Sequence, residues 1–237
     1  MIRISNLDVR YGGDGSEKQV ISNLSLSIED NSSLGVIGPN GCGKTTLLHT
    51  LAGLHDNYTG ELRLGVHEDK VALILQDIGL LPWKTVRENA SLGLDLGRSE
   101  NYSNVEDLLH ELDLFGYRED FPSQLSGGQK RKLGLARALA VDPRVLLMDE
   151  PLVSLDEFTR EELQNKILTL WQERNLTMVT VTHDMEEVSF LGQNIAVLSQ
   201  VPATLKCLIE NHGAGEVEFR GSEEFYETVR KTRQELP

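Results

Sequence analysis

Gly38, Pro39, Asn40, Gly41, Cys42, Gly43, Lys44, Thr45 and Thr46 combine a glycine-rich loop with one lysine and paired hydroxyls. Gly38 and Gly43 bracket four residues, and Lys44 and Thr45 follow at once, the spacing of a loop that wraps phosphate groups in backbone N–H donors. The apolar run from Leu34 to Ile37 reads as a buried strand leading in, and "KTTLLHTLAG" reads as a helix leading out. A helix N-terminus then points at the same anion. In that setting Lys44 reaches the β- and γ-phosphates of a nucleotide, and Thr45 supplies a hydroxyl to Mg²⁺. Cys42 contributes backbone rather than thiol chemistry, since no His or second Cys stands near it in sequence.

Two adjacent carboxylates, Asp149 and Glu150, end the apolar run "VLLMDEP". The tip of a buried strand is where open α/β sheets place ligand chemistry. Asp149 is suited to hold Mg²⁺, and Glu150, on the other side of the chain, to orient or deprotonate an attacking water. Gln76 follows the apolar run "VALIL" and offers a neutral amide to the metal or its water, while His183 follows "MVTVT" and can donate to a γ-phosphate. A separate stretch, "LSGGQKRK", carries Ser126, Gly127, Gly128 and Gln129 ahead of a helix expected over Gln129–Ala140. It is phosphate-friendly yet far along the chain from the first loop. Lys130, Arg131 and Lys132 point in different directions on such a helix and are expected to be mostly solvated.

These residues need a scaffold. Alternation at Ile2, Ile4, Leu7 and Val9, and again at Leu24, Leu26 and Ile28, predicts an antiparallel sheet, with "YGGDGSEKQ" as the turn-rich loop between strands. Short apolar runs at Leu34, Val145, Met178 and Asn194 predict buried parallel strands. Leu163, Ile167, Leu170 and Trp171 mark an amphipathic helix over Phe158–Asn175, with Thr159 and Glu162 as a capping box. Between Gln76 and Asp142 strand-like runs vanish, and Val105, Leu108, Leu109 and Leu112 line one helical face. Beyond Ser199, "TLKCLIE" and "GEVEFRG" read as strands and "SEEFYETVRKTRQELP" as a terminal helix without evident chemistry.

Composition narrows the partners. The chain has 237 residues, a net charge of −14, and only Cys42 and Cys207 as thiols. That charge opposes binding to nucleic acid or to anionic lipid. Two distant cysteines build no disulfide framework. The apolar run Val71–Leu75 is far short of the ~20 residues a membrane helix needs, and the start lacks the layout of a secretion signal. An intracellular protein is expected.

Taken together and in this order, "GPNGCGKTT", Gln76, "LSGGQ", "VLLMDEP", "SLD" and "VTHD" resemble the ATP-binding subunit of ABC transporters. The resemblance implies an α/β fold: a P-loop NTPase core, mostly parallel sheet flanked by helices, with an N-terminal antiparallel β subdomain and an inserted helical signature subdomain. Residues 1–76 and 143–199 then form the ATP-binding core, 77–142 the helical part, and 200–237 strands and a helix of unassigned role. It implies ATP and Mg²⁺ as ligands, an adenine stacked on Tyr11, and a homodimer in which Ser126, Gly127, Gly128, Gln129 and Asp156 of one copy meet nucleotide held by the other. Glu150, His183 and Lys44 are the implied catalytic groups.

"LLPWKTVRENASLGL" and the stretch from Asp156 to Gly192 look like importers of the nitrate, sulfonate and taurine branch. This implies an integral membrane permease as partner, an extracytoplasmic solute-binding protein acting indirectly, and a place at the cytoplasmic face of the cell membrane. Pro82 and Trp83 fall in the lobe where family members grip the permease; a core tryptophan behind a helix-starting proline is the alternative. Val153 departs from the small residue usual at its position. A soluble ABC ATPase serving cofactor assembly is the alternative.

Overall fold

In the computed structural model, which describes residues 1–12, 17–96 and 103–236, the N-terminal alternation becomes an antiparallel sheet. Strand β1 (Ile2–Tyr11) lies between β2 (Lys18–Ile28) and the later β4 (Tyr58–Arg63). Ile2, Ile4, Leu7 and Val9 are buried together with Leu24, Leu26 and Ile28. Register shifts between Ile4 and Leu7 absorb the break in strict alternation. Of the turn-rich loop that follows Tyr11, residues 13–16 lie outside the described residues.

The second sheet has strands β3 (Ser33–Ile37), β5 (Val71–Ile74), β6 (Val145–Asp149), β7 (Thr177–Thr182), β8 (Asn194–Leu198) and β9 (Leu205–Glu210), in the order β5-β6-β7-β3-β8-β9. All neighbours pair in parallel except β8 with β9. Every residue of β3, β6 and β7 is buried, as expected of strands covered on both faces. Helix α1 (Lys44–Leu51) packs on β6 and β7, and α7 (Met185–Leu191) packs on β3 and β7. Because β3, β5, β6 and β7 run the same way, the loop at Gly38, Gln76, Asp149 and His183 all emerge at one edge.

Between β5 and β6 the described residues hold helices α2 (Val86–Ala90), α3 (Leu92–Leu96), α4 (Ser103–Glu111) and α5 (Gly127–Leu139), with short 3₁₀ turns and no strand. Val105, Leu108, Leu109 and Leu112 are buried in one cluster with Leu133, Ala136 and Leu139 of α5. A helix as short as α4 is marginal alone. Burying each leucine contributes roughly 1.5–3 kcal/mol, so docking decides the matter.

Helix α6 (Glu157–Glu173) starts earlier than Thr159 and Glu162 suggested, because Asp156 is the better cap. Its carboxylate accepts from Thr159 N–H at 3.0 Å and from the Thr159 hydroxyl at 2.7 Å, and Glu162 instead accepts from Lys132 at 2.6 Å. Helix α5 likewise begins at Gly127, with Ala140 as its C-cap.

The tail also departs from expectation. "TLKCLIE" contains β9, but "GEVEFRG" is a 3₁₀ turn at Val217–Gly221 rather than a strand. Phe219 is buried against Gly213, where a Cβ would stand 2.1 Å from its ring. That anchoring leaves no alternation to build a ladder. Helix α8 (Glu223–Glu235), capped by Ser222, packs on α7. Arg220 sits 4.0 Å above the Phe190 ring and donates to Gln164 Oε1 at 2.6 Å, tying the tail to α6 and α7.

Candidate functional site

The glycine loop turns where only glycine fits. Gly43 has φ of 115°, and a Cβ there would lie 2.8 Å from Val20. That turn sets the N-terminus of α1 facing the loop interior. Lys44 is buried, and its ammonium donates to the carbonyls of Gly38 at 2.9 Å and Pro39 at 3.1 Å, closing over its own loop. Cys42 is buried as well, and burial raises its thiol pKa. It is therefore no accessible nucleophile.

A cavity of about 510 Å³ opens beside the loop. Asn40, Gly41, Gly43, Lys44, Thr45 and Thr46 line one side, and Gln76, Asp149, Glu150 and His183 come from the ends of β5, β6 and β7. Asp149 is only 3% exposed, and its Oδ1 has no hydrogen-bond partner. Burial raises its pKa; the Thr45 hydroxyl acts against that rise, and the neighbouring Glu150 adds to it. A buried carboxylate oxygen without a partner, next to a hydroxyl, is a donor pair that suits a hard cation such as Mg²⁺. No cluster of three or more His, Cys, Asp or Glu occurs among the described residues, so an all-protein metal cage is not what is built.

Glu150 leaves the strand with φ of 49°, a left-handed turn that costs a non-glycine residue of order 1–3 kcal/mol. The turn is held by its own N–H donating to Val181 O at 2.8 Å. It brings Glu150 Oε2 to 2.7 Å from His183 Nδ1. With Nδ1 engaged, Nε2 is the ring nitrogen left for a ligand.

Tyr11 and the signature residues do not line this cavity. Tyr11 is 41% exposed and stacks on His55 with centroids 4.3 Å apart. Ser126 caps α5 in a reciprocal box: its hydroxyl accepts from Gln129 N–H at 3.2 Å, and its own N–H donates to Gln129 Oε1 at 2.8 Å. Ser126 and Gly127 are exposed, Gly128 is buried. A Cβ on Gly128 would lie 2.5 Å from Thr159, so that glycine serves the approach of α5 to α6; a Cβ on Gly127 would meet only Leu155, in ordinary contact at 3.8 Å. Asp156 sits at the cap of α6, where the Thr159 N–H and hydroxyl hold its carboxyl below the usual range.

Residues 21–153 match the family model described as ABC transporter. The chain is 36% identical over 240 residues to the aliphatic sulfonates import ATP-binding protein SsuB of Bacillus cereus, covering 99% of this chain and 95% of that one. The chain belongs to the ABC transporter family. It is an ATP-binding subunit with ATPase activity. Identity to the taurine import ATP-binding protein TauB of Escherichia coli is 39% over 211 residues, covering 85% of this chain and 81% of that protein. Among solved structures, the dimeric structure of MJ0796, a bacterial ABC transporter cassette, superposes with a TM-score of 0.77 at 27% identity, covering 89% of this chain and 98% of that one. A post-hydrolysis dimer of the same cassette, bound to ADP and Pi, gives 0.76 at 26% identity.

In this ABC subunit two of the three basic residues after the signature, Arg131 and Lys132, are not simply solvated. Lys132 is buried and pairs with Glu162 at 2.6 Å and Asp113 at 3.4 Å, while Arg131 donates to Gln76 O at 2.8 Å. The reason is that α5 is packed between the helical part and the sheet. Trp83 is 70% exposed, which excludes the core reading. Its loop is fixed by buried Asn89, whose amide accepts from Leu81 N–H and donates to the carbonyls of Leu81, Lys84 and Thr85. No helix among the described residues is long and apolar enough to cross a membrane. Sequence reasoning passed over Glu187 and Thr182, whose only signal was an acidic pair, Glu186 and Glu187, just past His183.

Proposed function

We propose that this chain hydrolyses ATP at the cytoplasmic face of the cell membrane to power import of a small solute of the nitrate, sulfonate or taurine class through a separate integral permease. The observation that carries the hydrolytic part is the convergence of Lys44, Thr45, Asp149, Glu150 and His183 on one cavity. The importer class is supported by relatives named for aliphatic sulfonates and taurine.

ATP places its phosphates in the loop from Gly38 to Thr46, and Lys44 exchanges its contacts with Gly38 and Pro39 for the β- and γ-phosphates. Thr45 and Asp149, with Gln76 in reach, are the residues that would hold Mg²⁺, which would supply charge neutralisation to the phosphates. Glu150 takes the proton of the attacking water, and His183 orients against the γ-phosphate. Tyr11 stacks on the adenine. Two copies close head to tail, and Ser126, Gly127, Gln129 and Asp156 of one approach nucleotide on the other, in keeping with their absence from the lining of their own cavity. Gly128 shapes that loop from within.

Closure moves the permease, which is gripped beside Pro82 and Trp83. A groove of about 490 Å³, lined by Gln76, Leu80 and Pro82, links that surface to the nucleotide cavity through Gln76. A solute-binding protein outside the membrane delivers the cargo. The test is co-expression with the permease. Trp83→Asp should leave ATP binding intact and abolish co-purification and uptake; unimpaired uptake would contradict the docking assignment.

A further inference from the structure

Glu187, on α7, is buried to 3% exposure, and its Oε1 has no hydrogen-bond partner. Its Oε2 accepts from the Thr182 hydroxyl at 2.8 Å. Thr182 Oγ1 in turn accepts from Asp184 N–H at 3.1 Å, and Asp184 Oδ1 accepts from Glu187 N–H at 3.1 Å. These three hydrogen bonds form a closed ring, and the residue enclosed by it is His183. The ring joins the end of β7 to the start of α7 across the one turn from which the imidazole reaches Glu150.

We infer that Glu187 is a positioning residue that, through Thr182 and Asp184, fixes the His183 turn and hence the contact between His183 and Glu150. This rests on the reading of Glu150 and His183 as the hydrolytic pair. A buried acid is a costly way to brace a turn unless it is neutral. Burial, with Asp184 and Glu150 adding to it, pushes the Glu187 carboxyl up to about 8, against the Thr182 hydroxyl and Arg160; Arg131 faces it from α5. At neutral pH the group is a hydrogen-bonded acid that adds no charge beside Glu150. Glutamine is its uncharged isostere.

The experiment is ATP hydrolysis by the purified full chain. Glu187→Gln keeps the acceptor for Thr182 and should hold kcat within about twofold of the parent. Glu187→Leu and Thr182→Val each break the ring and should lower kcat about tenfold, the scale of one lost hydrogen bond, with KM and ATP affinity within about twofold. Their double variant should be no slower than the singles. Thr182→Val preserves shape and covers the case in which Glu187→Leu fails to fold. Parental kcat in Thr182→Val, or a loss in Glu187→Gln as large as in Glu187→Leu, would overturn the inference. His183→Ala separates the two levels: if it is dead while Thr182→Val is unimpaired, only the positioning role fails; if His183→Ala turns over normally, the hydrolytic reading itself fails.

Discussion

His183 Nδ1 lies 2.7 Å from Glu150 Oε2, although the residues stand 33 positions apart in sequence. The contact exists because β6 and β7 are parallel neighbours that end together, and because Glu150 turns out of its strand into a left-handed conformation. Glu150 is mostly shielded while His183 is half exposed, so the pair presents one polar face to the cavity.

From this pairing, Glu150→Gln should bind ATP normally and lose turnover by about 10²–10⁴-fold, the usual worth of a general base. Because the amide can still meet His183, the loss reports proton transfer rather than a displaced ring. Steady-state hydrolysis and a nucleotide-binding titration on the same preparation check both halves.

Asp149 carries an unpartnered buried oxygen whose pKa burial raises. A carboxylate raised above its unfolded value of 3.8 costs stability as pH climbs through that interval. Asp149→Asn should therefore melt higher than the parent at neutral pH without Mg²⁺. It should also lose the tightening of ATP binding that Mg²⁺ brings to the parent, as measured by paired titrations with and without the metal.

Gly127 and Gly128 are adjacent in sequence and opposite in role. Gly128→Ala forces a Cβ to 2.5 Å from Thr159 and should destabilise the fold by ~1–3 kcal/mol, visible as a lower Tm. Gly127→Ala places a Cβ in ordinary contact with Leu155 at 3.8 Å and should leave Tm little changed while weakening ATP-dependent dimerisation. Gel filtration with and without ATP separates the two effects.

Glu187 makes stability depend on pH with a definite sign. Its carboxyl titrates near 4.5 when unfolded and at about 8 when folded, so the native state holds the extra proton between those values. Stability falls as pH rises through that window and levels off above it. Glu187→Gln should match the parent below about pH 4.5 and exceed it increasingly up to about pH 8, in melting curves taken across that range.

Local signals carried much of the architecture. The loop from Gly38 to Thr46 was readable because each glycine answers a backbone demand, as Gly43 shows, and the strand ends at Asp149 and His183 followed from continuous apolar runs. What failed had a common cause in packing. Lys132 was expected in solvent, yet its helix is clamped between Glu162 and Asp113. "GEVEFRG" alternates like a strand, but Phe219 found a pocket over Gly213. For Glu187 the acidic pair just past His183 was too weak a hint, since its role depends on Thr182 lying across a turn and on neighbours from other elements.

The central claim is that Ser126 of one copy completes the nucleotide site built on Lys44 of the other. Ser126→Arg and Lys44→Ala should each be nearly inactive alone. Mixed in equal amounts, half of the dimers pair one of each and hold one intact site, so hydrolysis should recover to about a quarter of the parental rate. A mixture no more active than its separate components, with both variants folded and shown to exchange subunits, would contradict the claim.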